Sequence, residues 1–135
     1  MIGLWSEQAS VFLVVVALFA LLTLGLPMVF VPLTWAHWLR WPVPQATDGR
    51  NLSIYFGRCL GAVICVQATV VLFAADHTTL QPVLFAILIG DFSLMIAVHI
   101  WGALRKIQPL SETLETIAWV GLLVLALLFT PEINF

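Results

Sequence analysis

The chain has 135 residues, 62% of them hydrophobic and 9% charged, with a formal net charge of −2. Soluble domains run near 45–50% apolar and about 25% charged, so these few charges cannot cover a water-facing surface, and a soluble globular protein is excluded. Five Lys and Arg residues in all also exclude a basic nucleic-acid face.

Hydropathy predicts four spans, at about residues 10–31, 54–74, 82–104 and 113–130, each near the ~20 residues that cross a hydrocarbon core. The first is expected to be a retained helix rather than a signal peptide, because its apolar run is long and no Lys or Arg precedes it. Within it, Pro27 follows Gly25 and predicts a kink, since proline removes a backbone donor. The expected fold is an all-α integral membrane protein, a single domain over residues 1–135. Its four transmembrane helices form an antiparallel bundle joined by short links.

The first link opens Thr34-Trp35-Ala36-His37-Trp38-Leu39-Arg40-Trp41, bounded by Pro32, Pro42 and Pro44. Indole rings and a snorkelling guanidinium favour the headgroup level. Trp35, Trp38, Arg40 and Trp41 therefore read as anchors of a short interfacial segment after helix 1. Trp5 is the matching anchor on the other side, and Trp101 a further one on the same side as Arg40. Arg40, Arg50, Arg58, Arg105 and Lys106 all fall on one side, whereas Glu7, Asp76 and Glu132 mark the other. By the positive-inside rule both termini face outward. The expected location is a bacterial inner membrane with both termini periplasmic.

In the second span, Gly57 and Gly61 form a small-residue spacing continued by Cys65 and Thr69. Such a face lets another helix approach closely, inside the monomer or at a subunit interface. Cys59 and Cys65 are too far apart along one helix to bridge, and read as packing residues. The ionisable residues inside spans are Arg58, Asp91 and His99, with Gln67 a milder polar case; such groups are functional candidates by default. Helical rise places Arg58 and His99 roughly 6–7 Å from the inner boundary, and Asp91 and Gln67 roughly 20 Å in. Asp91 is thus expected to pair with Gln67, or to serve as a proton-linked or cation-binding carboxylate, rather than to meet Arg58. Arg58 is expected to snorkel or to pair with Glu112 and Glu115; the sharper alternative is an anion site with His99. The stretch 117–129 is apolar all round, interrupted by Trp119 and Gly121.

No metal-ligand spacing, nucleotide loop or catalytic motif is present in the sequence, so neither a metal site nor an enzyme is nominated. No cofactor is expected. A single haem would rest on His37 and His99 alone, and bound lipid is the remaining option. The Arg58–Gly61 spacing, with a polar residue midway along the third span, resembles DoxX-type membrane proteins and the four-span sterol-synthesis scaffold proteins. The likeness covers two short patches and implies no activity. The leading functional expectation is a non-catalytic accessory or scaffold subunit, or a homo-oligomer. Its partners would be the bilayer and either other membrane subunits or further copies of itself. The alternative is a carrier or channel for a small solute, proton or lipophile that uses Asp91 and Arg58.

Overall fold

Residues 3–131 are described in the computed structural model; the acidic marker Glu132 lies outside them. Every described element is helical, with no strand among the described residues. Helix α1 is Ser6–Phe30, α2 is Pro32–Trp38, α3 is Thr47–Ala74, α4 is Gln81–Arg105 and α5 is Leu110–Phe129. Of the five, α1, α3, α4 and α5 are long and apolar enough to cross a membrane. Helix α3 begins seven residues before the second apolar stretch read from hydropathy. The first turns of α3, with Asp48, Arg50 and Asn51, are polar but still helical, so an apolar window cannot see them. The packing of the described residues falls into two compact units, one from residues 3–14 with 73–131, the other from Val15–Leu72.

The second unit shows how one proline shapes a long helix. α1 passes through a π-helical turn at Leu21–Gly25 immediately before Pro27, a known accommodation where the α-helical ladder is interrupted. Pro27 has no N–H with which to reach the Thr23 carbonyl four residues back; the Trp35 indole Nε1–H donates to that carbonyl instead, at 2.9 Å. Val31, forced out of the helical region by the following Pro32, adopts φ −134° and ψ 51° and separates α1 from α2. After α2, Arg40 takes a left-handed φ of 65°. Arg40 N–H bonds to His37 O and Trp41 N–H to Ala36 O, the paired closure that satisfies terminal carbonyls.

Within the same unit α1 and α3 approach until little separates their backbones. A Cβ on Gly61 would lie 2.8 Å from the Gly25 carbonyl oxygen, the Met28 Cβ and the Val29 nitrogen. One on Gly57 would lie 2.8 Å from the Pro32 Cβ, and one on Gly25 would meet the Cys65 sulfur at the same distance. The small-residue face of α3 is thus occupied by α1 and α2 of its own chain.

In the first unit the N-terminal turns of α1 join α4 and α5 around an aromatic core. Phe12 stacks on Phe85, centroids 5.7 Å apart, and on Phe129, 4.8 Å apart; Phe85, Leu13 and Ala126 are fully buried. At this end Ser10 Oγ–H lies 2.7 Å from Ala75 O and 2.8 Å from Asp76 Oδ1, and the buried Gln81 donates to Ala75 O. The Gly3 and Trp5 N–H groups bond to the carbonyls of Leu127 and Leu128, which a helix end otherwise leaves unmade. Further along, Phe92 meets Trp119, and Trp119 in turn lies against His99.

Candidate functional site

α4 ends as α2 does. Lys106 adopts φ 56°, its N–H bonds to Ala103 O, and Ile107 N–H bonds to Gly102 O. This closure turns the chain into a four-residue link, and Gln108 within it holds both flanking helices. Its Nε2 donates to the His99 carbonyl at 3.0 Å and to Thr113 Oγ1 at 3.1 Å. Gly102 makes room for that carboxamide, since a Cβ there would run into the Gln108 side chain.

Held in this way, the last turns of α4 and the first turns of α5 bring His99, Glu112 and Glu115 together. Their ligand-capable atoms all lie within 4.8 Å of one another. His99 is 5% exposed and Glu112 9%, while the Glu115 side chain is about one-third open. His99 Nδ1 lies 2.8 Å from Met95 O. A carbonyl oxygen only accepts, so Nδ1 carries the proton and Nε2 is the nitrogen left for chemistry. Nε2 faces Glu112 Oε2 at 3.4 Å and Glu115 Oε2 at 4.0 Å, yet it is buried without a hydrogen-bond partner. Three acceptor-type groups thus converge. Glu112 and Glu115, three residues apart on one helix face, repel each other when both are ionised. Glu112 sits in the first turn of α5, where the helix dipole favours a carboxylate.

The other candidates stand elsewhere in their own units. Asp91 is half-buried midway along α4, and Gln67 is half-buried in α3. Arg58 is exposed on α3, beside an open groove lined by Asn51, Tyr55 and Cys59. Cys59 is exposed and Cys65 half-buried, both as free thiols. His37 and His77 are exposed. Among the anchors, Trp5 and Trp101 are exposed and Trp38 is 67% exposed. Trp5 lies over Phe129, whereas Trp35 is engaged by the Thr23 carbonyl. Trp41 contributes to a groove with Pro32, Pro42, Pro44 and Gly57.

Sequence reasoning singled out His99, but it read Glu112 and Glu115 as partners for Arg58 rather than for this imidazole. The available signal was the spacing of the two glutamates on one face of a helix that begins just after His99's own helix ends. Comparison with protein-family models, with curated proteins and with solved structures finds no match.

Proposed function

We propose that the chain is a four-span integral membrane protein of the carrier or channel class, binding a cation where α4 and α5 meet. Its helices alternate in direction, with both termini outside. The positive-inside rule, applied to Arg105 and Lys106 beside the cluster, favours the inner membrane boundary for His99. The observation that carries the reading is the buried His99 Nε2, fixed in tautomer by Met95 and facing two carboxylates without a hydrogen bond. Buried polar groups are costly unless they are satisfied, and a cation held between the two carboxylates satisfies the His99 nitrogen. Asp91, eight residues earlier on α4, adds an acidic station about 12 Å further along the helix. Four helices enclose little aqueous space, so passage through the bilayer requires self-association or a partner subunit.

The test is cation flux in proteoliposomes under an imposed gradient, reporting protons and divalent ions in parallel. Wild-type protein should raise flux above that of empty vesicles, and Glu112→Gln and Asp91→Asn should each reduce it. Wild-type flux equal to the leak of empty vesicles refutes the carrier reading and leaves the accessory or scaffold role.

A further inference from the structure

We infer that His99, Glu112 and Glu115 form a site for a single divalent transition-metal ion, of the Zn²⁺ or Mn²⁺ kind. This rests on the cation-site reading above and narrows its ligand. The spacing argues first. A charge-assisted hydrogen bond between imidazole and carboxylate would sit at about 2.7–2.9 Å, whereas Nε2 and Glu112 Oε2 are 3.4 Å apart. Ligands bound at 2.0–2.1 Å in a tetrahedron stand about 3.3–3.4 Å from one another. Glu115 Oε2 lies 4.0 Å from Nε2 and the ligand atoms spread up to 4.8 Å, so closing on one ion takes a movement of about 1 Å or more by that measure, which the partly open Glu115 side chain allows.

The orientation argues next. Metal-bound histidines characteristically donate their other ring N–H to a carbonyl or carboxylate, which fixes the ring and makes the free nitrogen more basic. His99 does this through Nδ1 to Met95 O. Gln108 pins the His99 backbone to Thr113 on the helix that carries both glutamates. Charge argues third. Two acidic side chains converge on one ring nitrogen, and a divalent ion bound among them neutralises their ionised form. One nitrogen and two oxygens suit Zn²⁺, Mn²⁺ or Fe²⁺ better than Ca²⁺ or Mg²⁺, which prefer all-oxygen shells. The exposed side of Glu115 leaves the remaining position to water and gives the ion a route in.

The experiment uses the full chain in lipid nanodiscs, stripped with chelator and titrated with Zn²⁺, with metal content measured after desalting. The Co²⁺ form is examined for visible d–d absorption. The expected result is a single tightly held Zn²⁺ per chain and a Co²⁺ spectrum of low coordination number. Glu115→Gln, at a partly open position that tolerates change, should weaken Zn²⁺ about tenfold or more, and His99→Gln about 100-fold or more. His37→Ala and His77→Ala should leave binding unchanged. Failure of the wild-type protein to retain Zn²⁺ or Mn²⁺ overturns the metal site, as does binding lost in His37→Ala or His77→Ala but kept in Glu115→Gln. Metal retained without vesicle flux sinks the carrier reading and leaves the site standing; proton flux without metal retention does the reverse.

Discussion

Gly61→Ala separates steric packing from helix propensity within one substitution. The new methyl would lie 2.8 Å from the Gly25 oxygen, the Met28 Cβ and the Val29 nitrogen, roughly 0.7 Å inside the optimum for non-bonded contacts. Two of the three are backbone atoms, so no rotamer change relieves the clash and α1 must move away from α3. Overpacking costs about 1–3 kcal/mol, and this geometry belongs at the upper end. Offsetting it is the ~1 kcal/mol that alanine gains over glycine in a helix interior. The net loss is about 2 kcal/mol, near 30-fold in the folding equilibrium. Gly90 and Gly121 provide the control, because a Cβ at either meets nothing within 4 Å. There the same replacement should stabilise by about 0.5–1 kcal/mol. Unfolding followed by circular dichroism in mixed micelles, with denaturing detergent as titrant, measures all three. Gly61→Ala as stable as Gly90→Ala would refute the claim that α1 and α3 touch at backbone level.

Trp35→Phe removes the donor to the Thr23 carbonyl and should cost about 1 kcal/mol; in a Pro27→Ala background, where a backbone N–H is restored, most of that cost should vanish in a double-mutant cycle. Lys106→Gly relieves a left-handed residue and should raise stability by about 1 kcal/mol, and an unchanged thermal midpoint would count against the observed closure of α4. Gly102→Ala displaces Gln108 from His99 and Thr113, costing about 1–2 kcal/mol. If that loss runs through Gln108, it should disappear when Gly102→Ala is made on Gln108→Ala, which thermal unfolding of the four proteins of the cycle will show.

The long apolar helices were readable because their cause is local. Long apolar runs are costly in water whatever they pack against, and α1, α4 and α5 match the predicted stretches to within a few residues. Pro27 was legible as an interruption for the same reason. How the chain resolves it was not. The π turn at Leu21–Gly25 and the Trp35 indole on the Thr23 carbonyl depend on α2 folding back beside α1. That is a tertiary event, and composition gave Trp35 only the general affinity of indole for an interface. Likewise, the spacing of Gly57 and Gly61 announces a close approach without saying which helix makes it. The structure shows Pro32 and Gly25–Val29 of the same chain against them.

The site was half legible, and the reason is a boundary. Depth was counted from hydropathy edges, and the fourth span was started at Thr113, which left Glu112 in the link and Glu115 barely inside. α5 in fact begins at Leu110, because Ser111 and Glu112 are helical although polar, so the edge moves by three residues, about 4.5 Å of rise. Counted from the true helix ends, Arg105 and Leu110, His99 lies roughly 9 Å in and Glu115 roughly 7.5 Å in, at one level on neighbouring helices. Polar first turns are where carboxylates are most stable, because the dipole and the free N–H groups favour them. The features that hide such residues from a hydropathy window therefore also place them beside the end of the preceding helix. In a chain with links this short, a buried histidine one or two turns before a helix end should be checked against the acidic first turn that follows before any partner is sought deeper in the spans.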